Sequence, residues 1–385
     1  ERPATIAGLA EGKIIENIGE AISKVIQDLP LPLENITEEE AKKDFDELVR
    51  LDSRKLFNKG SLLTKAEYRY ELSNWFMKNS LVGKKSSNYF HQLARWKTQH
   101  ARYPSPYRSW TETKFHRTFS RALWSLNLGK VDNSTLRQAI QMTKYVASQY
   151  PPAVAKGIYN MFGGKNVLDF SMGWGDRLAG FYASDYGKHY VGIDPRKENH
   201  LIYKEQSEFY EKHLGFFEHE RKSEFHCSPA EEFDFSQYDN HFDLVFTSPP
   251  YFNVERYSYD DTQSWVRYKD IDDWNTEFLQ KTLNNLWRSI KSGGYLLVNI
   301  SDVNASSKGK KSKGWLPICD PMNDFLDTLK DSEYQGCIGY EMAKRPNCIG
   351  VGTAKVTEET NRKPEYILPE KEGLFGEPIW IWKKI

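Results

Sequence analysis

The chain has few cysteines, four in 385 residues at positions 227, 319, 337 and 348, and none sits in a Cys-x-x-Cys step. That spacing fits no common zinc framework, so the expectation is reduced thiols and no metal. An excess of one charge sign is also missing. Lysine plus arginine and aspartate plus glutamate number 53 each, so no global field draws the chain to a polyanion and any such attraction must be local. No apolar run approaches the roughly 20 residues of a membrane span, and no signal-like start is present. These absences predict a soluble intracellular protein with no membrane partner, cytoplasmic in a bacterial or phage-infected cell or nuclear in a eukaryotic one. The chain opens on Glu1 rather than Met, which reads as a trimmed start. No internal repeat is visible, and the length predicts two or three domains with a large core.

What is present is chemically pointed. The apolar run Phe242-Asp-Leu-Val-Phe-Thr247 ends in Ser248-Pro249-Pro250-Tyr251. An amine on an aromatic ring is a poor nucleophile because its lone pair is delocalised. A Ser hydroxyl and a carbonyl stiffened by two prolines can accept both N–H bonds and favour a pyramidal nitrogen, while the Tyr ring can stack on a base that has left its duplex. A Pro-Pro step also simply ends strands, so the motif needs a partner. Upstream, Asn166-Val-Leu-Asp169-Phe170-Ser171-Met172-Gly173-Trp174-Gly175-Asp176-Arg177 reads as strand, glycine turn and helix start. About twenty residues on, the strand Tyr190-Val-Gly-Ile-Asp194 ends in a carboxylate placed to meet ribose hydroxyls. Gly-x-Gly alone is weak evidence, and the three features together are strong.

Together these residues resemble the amino-group methyltransferases that use S-adenosylmethionine, the DNA adenine-N6 and cytosine-N4 enzymes, over residues 151–385. The resemblance implies a methionine-binding turn at Asp169, Phe170, Ser171, Gly173 and Gly175, with Pro152 lining the pocket, Asp194 on the ribose and Thr247 at the edge of the site. Ser248, Pro249, Pro250 and Tyr251 match the catalytic tetrapeptide. Where many members carry an acid near the adenine amine, this chain has Cys227-Ser228-Pro229-Ala230-Glu231, so Ser228 or Glu231 is the candidate there. Trp174 and Arg177 replace small residues, and Gly-Trp-Gly-Asp-Arg-Leu is similar to phage-encoded members. Ser in first position leans towards cytosine N4. The fold implied is α/β: a Rossmann-like seven-stranded methyltransferase sheet, strands near 166–170, 190–194, 223–227, 243–247, 294–300, 335–342 and 378–383, the last pair antiparallel.

The gap between Arg177 and Thr247 leaves no room for a target-recognition domain, which directs attention to residues 1–149. That part reads as a helical, DNA-recognising domain ahead of a methyltransferase domain at 150–385. Thr37-Glu-Glu-Glu40 looks like a capping box, and helices are expected over Lys65 to Asn79 and Ser134 to Ser148. A further helix, Trp274 to Ile290, is expected to pack on the sheet. Between positions 84 and 121, Lys84, Lys85, Arg95, Lys97, Arg102, Arg108, Lys114, Arg117 and Arg121 stand against Glu112 alone, interleaved with eight aromatics. Such a stretch suits phosphates and exposed bases, although aromatics of a core beneath a solvated face would read the same. A basic insertion near 304–316, with Lys308, Lys310, Lys311 and Lys313, is a loop that either clamps a phosphate backbone or is plain solvated chain.

The function expected is methyl transfer to the exocyclic amine of a flipped base in double-stranded DNA, with a homodimer or a restriction-modification partner as candidate assemblies. The alternatives are RNA or a protein amide as acceptor, or a catalytically silent DNA-binding subunit.

Overall fold

The computed structural model describes residues 20–21, 23–24, 26, 29–59, 62–64, 68–73, 75–101, 103–116, 132–143, 146–214, 221–305, 307, 314–342, 367–369 and 376–385. Its chain forms two compact units. One comprises Glu1–Thr37, His91–Ser148 and Glu255–Ser258; the other comprises Glu38–Phe90, Gln149–Val254 and Tyr259–Ile385. Glu38–Phe90 thus lies in the larger unit together with Gln149–Val254.

The larger unit is built on a sheet whose central strands are β1 (Asn166–Asp169), β2 (His189–Ile193), β3 (Lys222–His226), β4 (Phe242–Thr247), β5 (Ile290–Asn299), β6 (Ser332–Glu341) and β7 (Gly376–Lys384). Their spatial order is 3-2-1-4-5-7-6, with β7 antiparallel to both β5 and β6 and the first five mutually parallel. This is the Rossmann-like α/β arrangement expected from the sequence. Strands β1, β2 and β4 are almost wholly buried apolar runs, as parallel strands covered on both faces must be. Order reverses between β1 and β4, so the carboxyl ends of those strands open the crevice where an α/β sheet binds ligands.

Several helices cover the sheet. They include α1 (Glu38–Arg50), α5 (Pro152–Met161), α6 (Asp176–Tyr182), α7 (Lys197–His213), α8 (Lys281–Trp287) and α9 (Cys319–Asp327). Within α1, Ala41, Phe45 and Leu48 form the buried stripe, three acids occupy the first turn and Arg50 the last, matching the helix dipole. Lys156, buried on α5, donates to the carbonyls of Leu48, Val49 and Leu51, closing the end of α1.

Two expected helices differ. No helix forms over the described part of Lys65 to Asn79. Instead Trp75–Met77 adds to the sheet beside β6, with Phe76 opposite Gly339 and Met77 opposite Tyr340, and Phe57–Lys59 pairs beyond it. Aromatic residues with Phe76 and Met77 fully covered suit a strand, and the open edge of β6 outweighs local helix preference. The expected helix to Ile290 begins as a π-helical stretch at Trp274–Gln280 and ends at Trp287, because Ile290 already pairs with Phe242 as the first residue of β5.

In the smaller unit, α2 (Lys84–Lys97) enters from the larger one, followed by α3 (Pro106–Thr111) and α4 (Asn133–Thr143). Its core contains Ile26, Trp96, Trp110, Leu136, Ala139 and Ile140. A two-stranded ladder pairs Gln99 with Arg256 and His100 with Glu255.

Candidate active site

The site is assembled at the carboxyl ends of β1, β2 and β4. At the tip of β1, Asp169 is fully buried and receives five hydrogen bonds. Ser171 N (3.2 Å), Arg177 Nη2 (3.2 Å) and Thr247 Oγ1 (2.9 Å) donate to Oδ1, while Arg177 Nε (2.8 Å) and the Tyr190 hydroxyl (2.8 Å) donate to Oδ2. Two carboxylate oxygens offer about four lone-pair positions, so this set saturates the group. Asp169 ties three neighbouring strands together through Tyr190 of β2 and Thr247 of β4. Its place in the sequence suggested a direct contact with a cofactor, and its geometry is that of a brace. The partners account for two polar side chains in an apolar setting: Arg177 neutralises Asp169, and Tyr190 carries a hydroxyl into an apolar strand to reach the same carboxylate.

The turn after Asp169 uses two left-handed glycines, Gly173 (φ 59°) and Gly175 (φ 64°). At Gly175 a Cβ would lie 1.9 Å from Gln206 Oε1, so a side chain here has both to displace the end of Gln206 and to adopt the left-handed backbone. At Gly173 a Cβ would meet only Ser171 O at 3.9 Å, so the space above this peptide is open. The same peptide is held from behind by α7. Tyr203 OH (2.6 Å) and Asn199 Nδ2 (3.1 Å) donate to Gly173 O, and Gln206 Nε2 donates to Gly175 O at 3.1 Å. Trp174 is buried, with the Arg196 guanidinium 5.3 Å above its ring.

Asp194 closes β2. Gly173 N donates to Oδ2 at 3.1 Å and Arg196 N to Oδ1 at 2.9 Å. Each oxygen keeps a lone pair beyond the one these amides use, the disposition needed to accept from two vicinal hydroxyls. Burial raises the carboxyl above its ordinary value, and the two backbone amides pull the other way.

At the end of β4, Pro249 is buried, while Ser248, Pro250 and Tyr251 are half-buried. Among the described residues none bonds to the Ser248 hydroxyl or the Pro249 carbonyl. The chain then turns sharply. Phe252 N donates to Pro250 O at 3.0 Å, Val254 N to Tyr251 O at 3.1 Å, and Phe252 takes φ 52° while wholly buried. A bulky residue in the left-handed region is strained, and the contact of its ring with Trp274 helps hold it there. Tyr251 packs on the core and donates its hydroxyl to Glu377 Oε2 at 2.9 Å.

Other candidates are placed as follows. Pro152 is buried at the start of α5, and Phe170 is buried in the core. Ser171 amide serves Asp169. Ser228 Oγ donates to Pro229 O at 3.0 Å. Glu231, considered as an alternative adenine contact, is buried and receives Arg267 Nη1 (3.2 Å) and the Tyr268 hydroxyl (3.3 Å), which directs it to the loop past the tetrapeptide.

Part of the basic stretch is paired within the protein while still solvent-accessible. Arg95 donates to Ala147 O, Arg108 pairs with Glu112 and Gln99, Lys114 pairs with Glu112, and Lys85 lies 3.4 Å from Glu40. Lys97 is exposed over the Tyr107 ring at 5.5 Å, and Lys84 is half-buried. Trp96 and Trp110 are core; Tyr89 and Tyr103 are exposed. Arg102, Arg117, Arg121, Lys308, Lys310, Lys311 and Lys313 lie outside the described residues. Among the described residues no helix is long and apolar enough to cross a membrane, and no group of His, Cys, Asp and Glu is arranged to hold a metal ion.

No protein-family model and no curated protein matches this chain. Among solved structures it is similar to TrmN from Thermus thermophilus, with 10% identity and a TM-score of 0.35, covering 61% of this chain and 49% of that one. It is also similar to the N-methyltransferase NodS from Bradyrhizobium japonicum WM9, with 9% identity and a TM-score of 0.34 over 60% of this chain and 93% of that one. A methyltransferase from Geobacter sulfurreducens gives 12% identity and a TM-score of 0.33 over 69% and 96%.

Proposed function

We propose that the protein is an S-adenosylmethionine-dependent methyltransferase acting on the exocyclic amine of a nucleobase swung out of double-stranded DNA, with cytosine N4 favoured over adenine N6. One observation carries the reading: direct hydrogen bonds run from the tetrapeptide strand to the glycine turn and on to the ribose acid. Thr247 reaches Asp169, the Asp169 carboxylate holds the Ser171 amide, and the Gly173 amide reaches Asp194.

The residues fit the cofactor. The open face over Gly173 admits a ligand against the backbone, and Asp194 has acceptor capacity left for ribose hydroxyls. When bound, S-adenosylmethionine supplies an electrophilic methyl group. The chain's own contribution is alignment. Ser248 and the Pro249 carbonyl accept the two amine protons, Tyr251 presents its ring face to the base, and no strong base is needed because a methylated ammonium is acidic enough to lose its proton to water. Holding reacting atoms within roughly 3–3.5 Å supplies much of the acceleration.

Ser248→Ala and Tyr251→Ala are expected to abolish methyl transfer while calorimetric binding of S-adenosylmethionine persists. Retained turnover in either variant removes the tetrapeptide from the mechanism. Offering labelled cofactor with duplex DNA, single-stranded RNA and protein separates the acceptor classes, and an absence of cofactor binding by the unmodified protein favours a silent DNA-binding subunit.

A further inference from the structure

We infer that Glu377 is a positioning residue for the reaction: by accepting the Tyr251 hydroxyl it fixes the place at which that ring meets the acceptor base. The inference rests on the tetrapeptide reading above and adds to it a residue more than a hundred positions away in sequence.

Sheet topology brings the two together. β4 runs parallel to its neighbours and ends at Thr247, four residues before Tyr251, whereas β7 runs the opposite way, so its first residues lie at the edge where β4 finishes. Glu377 is the second residue of β7, paired across the ladder with Tyr340 of β6. It is buried, as carboxylates seldom are without partners, and the Tyr251 phenol donates to it at 2.9 Å. The aromatic side chains of Tyr340 and Tyr150 lie beside it, their ring centres 5.7 Å apart, and both phenols are raised by burial first, with the Glu377 charge adding to the effect. A charge-assisted bond of this kind anchors the far end of the side chain, so it holds Tyr251 in one χ1 rotamer and fixes where its ring stands. With its hydroxyl engaged by Glu377, the part of Tyr251 that this reading assigns to the substrate is the ring, which stacks on an extruded base.

The test uses the full chain, sheared genomic duplex DNA and labelled S-adenosylmethionine. Tyr251→Phe keeps the ring and removes the bond; Glu377→Ala removes the acceptor; Glu377→Gln keeps an oxygen that can accept. Tyr251→Phe and Glu377→Ala are each expected to lower kcat at least about tenfold with cofactor affinity unchanged. Glu377→Gln recovers most of that loss, and the double variant Tyr251→Phe/Glu377→Ala falls no further than the worse single change. Full kcat in Glu377→Ala, or losses that multiply in the double variant, overturns the inference. If Ser248→Ala is inactive while Glu377→Ala is unimpaired, only the Glu377 role is lost; if Ser248→Ala is active, the tetrapeptide reading itself falls. A readout independent of turnover is the fluorine resonance of 3-fluorotyrosine placed at position 251. A resonance that shifts or broadens in Glu377→Ala supports a side chain held by this bond, and an unchanged resonance refutes it whichever acceptor is methylated.

Discussion

At the scale of single residues, the two acidic groups of the site have opposite duties although both close a strand. Asp169 is saturated from within the protein, whereas Asp194 is bonded by two backbone amides and has capacity to spare. Substitution should separate them. Arg177→Ala leaves the buried Asp169 carboxylate without its cation and is expected to cost about 3–5 kcal/mol of stability, measured by urea unfolding. Asp194→Asn is expected to weaken cofactor binding with a much smaller change in unfolding midpoint. Asp194 also sets a pH dependence. Its carboxyl is raised by burial, and the amides and the nearby charges of Arg196 and His200 oppose the rise; in the role proposed above, it accepts ribose hydroxyls best when ionised. Affinity for S-adenosylmethionine should therefore rise as pH increases through a value above the ordinary 3.8, a rise that Asp194→Asn removes. Calorimetric titrations at a series of acidic pH values check it, and an unchanged slope in the variant refutes the assignment.

At the scale of elements, the glycine turn shows how one motif contains positions of different kinds. Gly175→Ala drives a Cβ into Gln206 and forces a left-handed alanine, so a stability loss of roughly 1–3 kcal/mol is expected. Gly173→Ala faces open space, so its cost to folding is confined to the backbone conformation, and its main effect should be on cofactor affinity. Thermal melts with and without S-adenosylmethionine distinguish the two. The turn was legible in the sequence because its spacing is local, and so were the central strands, which are continuous apolar runs. Trp75–Met77 was not legible, since what makes it a strand is the edge of β6, formed by residues some 260 positions later. The Glu377 partnership was hidden for the same reason: nothing near that residue announces Tyr251. The internal use of Arg95, Arg108 and Lys114 was equally invisible, because charge counts do not say which cations already have partners.

For the whole molecule, the edge of the sheet opposite the site has consequences for stability. There His189 Nδ1 lies 2.9 Å from His241 Nε2 and His189 Nε2 lies 3.2 Å from Glu224; at the carboxyl end of β3, His226 Nε2 lies 2.9 Å from the Tyr238 hydroxyl. Burial lowers all three histidines below their ordinary value of 6.5, with Glu224 opposing it and, at His241, Lys291 reinforcing it. A histidine lowered in the folded state stays neutral while the unfolded chain takes up protons. The stability it contributes is thus present above pH 6.5 and is lost as pH falls through the lowered folded values. Two rings sharing one hydrogen bond cannot both be protonated without losing it, so β2 and β4 feel the change together. The urea midpoint is therefore expected to fall between pH 7 and pH 5, and His241→Asn, which removes one of the paired titrating rings, should flatten that fall. A midpoint that stays level over this range in the unaltered protein would mean that these rings bind protons equally in the folded and unfolded states.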